Sequence, residues 1–78
     1  MKVKVYSTST CPYCKMAKTF LDEKGVAYDD LDVAGDAMAR DEMLKKSGQM
    51  GVPVIDVDGE VIIGFDKERL TSLIGRGN

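Results

Sequence analysis

Two cysteines carry most of the chemistry this chain can offer. Cys11 and Cys14 are its only thiols, and they sit together in "TSTCPYCKMAK", Thr8 to Lys18. Histidine is absent. That removes the commonest general base, the commonest transition-metal ligand and every Cys–His or Ser–His–Asp mechanism. A Cys-x-x-Cys pair serves either to grip a metal or to exchange electrons through a disulfide. Zinc or an iron–sulfur centre held by one chain needs about four ligands, commonly a second Cys-x-x-Cys or histidines, and neither is present, so no metal is expected within one chain. A cluster shared across a dimer and completed by added thiols is a minor alternative, as are two inert core cysteines. A structural staple is a poor reading, because a bridge across two intervening residues closes too small a loop to stabilise much. Disulfide exchange is the favoured chemistry.

Exchange requires an exposed thiolate and a second thiol within reach of the same sulfur. Pro12 suits the first position of a helix, where its missing N–H is not needed. Cys11 therefore falls at a helix start, where unpaired N–H groups and the positive end of the helix dipole favour a thiolate. Lys15 and Lys18 are close enough in sequence to help. Cys14 lies three residues on, over the same face, and in phase with apolar Ala17 and Leu21. It is expected to be buried. Cys11 is thus expected to attack and Cys14 to resolve the mixed disulfide. Thr10 and the N–H groups from Pro12's neighbours to Cys14 are candidate stabilisers of the thiolate. Tyr13 is either plain surface or a flat wall for a peptide-like substrate.

The elements that must position this pair follow from periodicity. "KVKVY", Lys2 to Tyr6, alternates and reads as a strand. The helix from Pro12 turns Cys14, Ala17, Phe20 and Leu21 inward, with Lys15, Lys18, Asp22 and Glu23 facing away, and Gly25 ends it. Val26 to Val33 is a weaker strand, since its aspartates disfavour sheet. Asp36 caps a second helix to about Ser47, with Met43, Leu44 and Ala39 as its core residues, surface pairs Asp41–Lys45 and Glu42–Lys46, and Gly48 at its end. Val54–Val57 and Glu60–Ile63 flank Asp58-Gly59, a hairpin signal. Asp66 is placed to cap a last helix with Leu70, Leu73 and Ile74 inward, ending at Gly75 before a frayed "RGN". The order βαβαββα implies a right-handed parallel crossover and a mixed four-stranded sheet with helices on its faces, an α/β architecture. At 78 residues, positions 1–78 make one domain.

The bulk properties narrow the partners. The net charge is −2 and no Lys/Arg run occurs, so neither nucleic acid nor an anionic membrane is expected. No apolar run approaches the roughly 20 residues of a membrane span, and "MKVKVYS" alternates instead of forming the apolar core of a secretory leader. A cytoplasmic monomer is the expectation.

"GVPV" is the second unusual stretch. Pro53 stands before an apolar strand, so it lies at the strand's start or at an edge. It is either a rigid turn or a cis Val52–Pro53 bond that turns the Val52 backbone outward toward an extended peptide.

Together the two motifs resemble the glutaredoxin family of the thioredoxin fold. The resemblance runs through "VYSTSTCPYCKMAKTFLDEKGVAY", "DEMLKKSGQMGVPVI" and "DGEVIIGFD", nearly the whole chain. It implies a cis Pro53 opposite Cys11, sheet order 2-1-3-4, and a second helix across the sheet from the other two. It implies dithiol oxidoreductase activity on protein disulfides or glutathione mixed disulfides, with no bound cofactor and glutathione as co-substrate. Val52 would pair through its backbone with glutathione, Gly64 and Asp66 would hold the γ-glutamyl end, Tyr13 would line the cleft and Arg40 would meet the glycyl carboxylate. Three positions depart from the family pattern: Thr8 replaces a frequent lysine, Ile63-Gly64 replaces Gly-Gly, and Phe65 replaces a small or polar residue. "GF" is similar to redoxins that take electrons from thioredoxin reductase, which makes Phe65 either a partner contact or a core residue and thioredoxin reductase an alternative electron source.

Overall fold

The computed structural model describes the backbone of residues 1–76. The elements are β1 (Val3–Ser7), α1 (Pro12–Glu23), β2 (Asp29–Asp32), α2 (Ala37–Ser47), β3 (Val54–Val57), β4 (Glu60–Ile63) and α3 (Lys67–Arg76). The expected βαβαββα order is what forms. The sheet runs β2-β1-β3-β4. β1 pairs parallel with β2, with Lys4 opposite Asp29. β3 pairs antiparallel with β1 and with β4.

The sheet separates two apolar layers because successive strand residues point to opposite faces. Val3, Val5, Ile55, Val57 and Ile62 meet Ala17, Phe20 and Leu21 of α1 and Leu70, Leu73 and Ile74 of α3. Tyr6 and Val54, one residue out of phase, meet Ala39 and Met43 of α2. The second helix therefore lies across the sheet from the first and third. The hairpin turn has Asp58 at φ 51° and Gly59 at φ 91°, the left-handed pair of a type I′ turn.

Four local expectations are corrected. Leu44 is 42 % exposed, whereas Met43 is fully buried. Ala39 and Met43, four residues apart, already make the buried stripe of α2, and Leu44 is turned about 100° away from it. The second strand is shorter than Val26–Val33. Only Asp29–Asp32 pairs, on the open edge of the sheet, where three aspartates can keep their carboxylates in water. Val26 and Tyr28 still pack on the α1–α3 core without joining the ladder. Of the surface pairs, Glu42–Lys46 forms at 3.0 Å, while no Asp41–Lys45 ion pair occurs among the described residues. Helix α3 extends through Arg76; the rest of the expected frayed tail lies outside the described residues.

Candidate functional site

β1 ends at Ser7 on the rim of the sheet, and the chain turns once before α1 begins. Cys11 is the N-cap of that helix, with Pro12 at its first position. The Cys11 N–H donates to the Thr8 carbonyl at 3.4 Å, closing the turn. A helix start needs an acceptor for its free N–H groups, a place usually taken by Ser, Thr, Asp or Asn. Here the cysteine sulfur takes it. The Cys14 N–H donates to Cys11 Sγ at 3.2 Å, so a thiolate there would be solvated by a backbone donor that is already in place.

The two thiols occupy different environments. Cys11 is partly exposed and Cys14 is fully buried. Burial pushes the Cys14 thiol up to about 11, helped by its hydrogen bond with Cys11. A backbone group of Thr8 and the charge of Lys18 pull the other way. Cys14 is thereby held protonated near neutrality while Cys11 faces solvent.

Val52 and Pro53 stand opposite, joined by a cis peptide bond. Cys11 Sγ lies 3.8 Å from the Val52 carbonyl oxygen. Pro53 is fully buried, and its carbonyl accepts from the Gly64 N–H at 2.8 Å. Gly64 sits at φ 81°, where a side chain would strain the backbone. That bond ties the loop before α3 to the loop carrying Val52. Asp66 follows and caps α3, its carboxylate accepting from the Arg69 N–H at 3.1 Å. Phe65 is half-buried against the α1–α3 core and meets Phe20 edge to face, with ring centroids 6.0 Å apart. Tyr13 is 62 % exposed beside the cysteines. Thr10 is exposed on the turn.

The structure thus brings Cys11, Cys14, Val52, Pro53 and Gly64 into one connected set, with Pro12, Tyr13, Phe65 and Asp66 next along the chain. Arg40 stands apart. It is half-buried on α2, on the other face of the sheet, and among the described residues no hydrogen bond or ion pair joins it to the cysteine end. Among the described residues, no three or more Cys, Asp or Glu side chains gather as a metal could require.

Sequence reasoning missed the groups behind Cys14. Lys18 does not face solvent as expected. Its ammonium pairs with Asp30 on β2 at 3.0 Å and reaches the buried Ser7 hydroxyl at 3.4 Å. Ser7 in turn donates to Asp30 at 2.8 Å. The Asp30 hydrogen bond raises the Lys18 pKa, which keeps that side chain charged. The available signal was the four-residue spacing from Cys14 to Lys18, which puts both on one helix face.

Comparison with known proteins agrees with this geometry. A family model described as glutaredoxin matches residues 3–62. A Clostridium pasteurianum protein described as an uncharacterized glutaredoxin-like 8.6 kDa protein in the rubredoxin operon is 47 % identical over 72 residues, covering 92 % of this chain and 96 % of its own. Glutaredoxin 3 of Escherichia coli K12 is 44 % identical over 75 residues, covering 96 % of this chain and 88 % of its own. The crystal structure of a glutaredoxin from Archaeoglobus fulgidus matches with a TM-score of 0.85 at 28 % identity, covering 92 % of this chain and 84 % of that one. The four-stranded mixed sheet with three helices is accordingly the thioredoxin-like fold.

Proposed function

The chain belongs to the glutaredoxin family of thiol–disulfide oxidoreductases, and on that premise we propose that it reduces glutathione mixed disulfides and protein disulfides through Cys11 and Cys14. The observation that carries the reading is the asymmetry of the pair. The partly exposed sulfur accepts a backbone N–H at 3.2 Å, and the buried one waits three residues behind it.

The Cys11 thiolate attacks one sulfur of a substrate disulfide. A Cys11–substrate bond forms, the substrate S–S bond breaks, and the leaving thiolate departs. Cys14 then loses its proton and attacks Cys11. The Cys11–Cys14 disulfide forms and the second substrate thiolate leaves, so two electrons pass to the substrate. Glutathione, as co-substrate, would reopen the disulfide in two further exchanges. The protein would act as a cytoplasmic monomer without a bound cofactor, as a single domain spanning residues 1–78.

The substrate would lie along the Val52–Pro53 segment. The Val52 N–H and C=O support backbone pairing with the cysteinyl part of glutathione, and the Val52 carbonyl already approaches Cys11 at 3.8 Å. Gly64 and Asp66, on the loop tied to Pro53, would take the γ-glutamyl end. Tyr13, Thr10 and Pro12 would form the near wall. Arg40, on α2, would meet the glycyl carboxylate. Glutathionylated protein incubated with wild type, Cys11→Ser and Cys14→Ser tests the reading. Loss of all activity in Cys11→Ser and retained reduction of the glutathione mixed disulfide in Cys14→Ser are expected. A Cys11→Ser protein as active as wild type refutes it.

A second electron source is favoured by Thr8, Ile63 and Phe65. Thr8 offers no cation to a glutathione carboxylate, Ile63 is 56 % exposed, and Phe65 adds apolar surface beside Gly64. On this reading thioredoxin reductase recycles the disulfide and Phe65 is a partner contact. Turnover coupled to NADPH through glutathione and its reductase, compared with turnover through thioredoxin reductase, decides between them.

A further inference from the structure

A groove of about 410 Å³ runs between α1 and the start of α3, bordered by Lys15, Met16, Thr19, Phe20, Phe65 and Lys67. Its floor is apolar: the Phe20 and Phe65 rings in edge contact, with Met16 half-exposed as an adaptable lip. Its rim is basic. The ammonium groups of Lys24 and Lys67 stand 5.6 Å and 5.9 Å from the centroid of the same Phe20 ring. Among the described residues, Lys15, Lys24 and Lys67 take part in no ion pair, as is also true of Lys2, Arg40 and Lys45 elsewhere on the surface. Glu23, at the far end, is the one carboxylate on the lining. In a chain of net charge −2, unpaired cations around one apolar floor define a local charge opposite to that of the whole.

The groove begins one helical turn from Cys11. The Lys15 N–H donates to the Cys11 carbonyl at 3.3 Å, and Phe65 lies between Gly64 and Asp66. From Lys15 to Glu23 the helix rises about 12 Å, a span matched by about four extended residues.

We propose that this groove docks an acidic segment, bearing one apolar side chain, of the protein whose disulfide Cys11 reduces. The proposal rests on the dithiol reading above and adds the class of protein substrate to it. The apolar side chain would pack on Phe20 and Phe65, and flanking carboxylates would meet Lys15, Lys24 and Lys67. Reduction of small disulfides would not depend on the groove.

The test compares three substrates: cysteine–glutathione mixed disulfide, a glutathionylated peptide carrying Glu-Leu-Glu-Glu within a few residues of its cysteine, and a sibling with lysine in place of each glutamate. The segment is placed before the cysteine in one version and after it in another. In at least one order the acidic peptide is expected to show a KM about five- to tenfold below its basic sibling, with kcat nearly equal, as two or three exposed charge pairs would give. The preference should shrink as salt rises toward about 0.5 M. Lys24→Glu/Lys67→Glu should abolish or reverse it and leave the small mixed disulfide's kinetics unchanged. Peptides reduced without preference, or a preference that survives the charge reversal, overturn the docking proposal alone. Failure to reduce the small mixed disulfide and both peptides overturns the dithiol reading and, with it, the proposal.

Discussion

On the proposed dithiol mechanism, resolution by Cys14 is the step the structure makes most sensitive to charge. With its thiol pushed up to about 11, only about one Cys14 in ten thousand is a thiolate at pH 7. Once Cys11 is tied up in a mixed disulfide, its hydrogen bond to Cys14 is lost. Burial then remains as the force against ionisation, with the Thr8 backbone hydrogen bond and, after it, the charge of Lys18 favouring it. Cβ atoms four residues apart on a helix are about 6 Å from each other; with that spacing and an effective dielectric constant of about 40, a unit charge is worth at most about 1.4 kcal/mol, or tenfold in thiolate. Asp30 beside Lys18 offsets part of this, so Lys18→Met should slow resolution about three- to tenfold. Asp30→Asn should leave it no slower, because Lys18 keeps its charge and loses the opposing one. A stoichiometric aromatic disulfide that releases a coloured thiolate at each exchange reads both steps by stopped flow. The first phase reports attack by Cys11 and serves as the control; the second reports resolution. The second phase should also rise nearly tenfold per pH unit across neutrality. If Lys18→Met resolves as fast as wild type at every pH, Lys18 is a structural anchor and the electrostatic reasoning fails.

Further outcomes follow from the packing and the surface charges. Asp56 is 11 % exposed at its side chain, accepts from Lys46 at 2.6 Å and also satisfies the Gly59 N–H of the hairpin. Asp56→Ala should cost about 2–3 kcal/mol in urea unfolding, below the range for a fully buried pair because Lys46 is partly solvated, and Asp56→Leu/Lys46→Met should recover most of the loss. Glu42 is held down to about 2, first by Lys4 and then by Tyr6 and Lys46. A depressed carboxyl stabilises the fold above its unfolded value, so this contribution should fade as pH falls from about 4.5 to about 2. Because the Glu42 side chain is still 39 % exposed to screening solvent, Glu42→Gln should flatten the acid limb of a stability–pH curve by less than about 1 kcal/mol. Met43→Ala should cost about 2–4 kcal/mol in the same unfolding assay and Leu44→Ala less than about 0.5, the reverse of equal costs expected if both were core.

The features legible in the sequence are those set by neighbours along the chain. Pro12 marks the helix start, Cys14 falls in phase with Ala17 and Leu21, and Asp58-Gly59 dictates the turn. Each is a local rule, and the helix start, the buried cysteine and the turn appear where these rules place them. The sheet order and the cis Pro53 came from likeness to a family, since neither has a local cause that composition reveals. What could not be read depends on elements meeting. Lys18 looks like solvated surface until β2 brings Asp30 beside it. Lys46 looks like half of a helix pair with Glu42, yet it also reaches Tyr6 on β1 at 2.8 Å and Asp56 on β3. For Leu44 the angle on the helix, not hydrophobicity, decides burial. Arg40 carries a role only through likeness to a family, since nothing local to its position on α2 points to a carboxylate partner.

The sulfur that caps α1 is also the atom that is oxidised and reduced. In the reduced protein it holds the first turn through the Cys14 N–H, so the helix start and the dithiol draw on a single interaction. Folding and electron transfer are therefore linked around a closed thermodynamic cycle. Any change that stabilises the capped, reduced fold more than the disulfide form makes the protein a stronger oxidant, by about 30 mV for each 1.4 kcal/mol. Substitutions far from Cys11 that tighten or loosen the first turn of α1 should then retune the reduction potential without touching either cysteine, and the difference in unfolding free energy between the two redox forms would measure the same quantity.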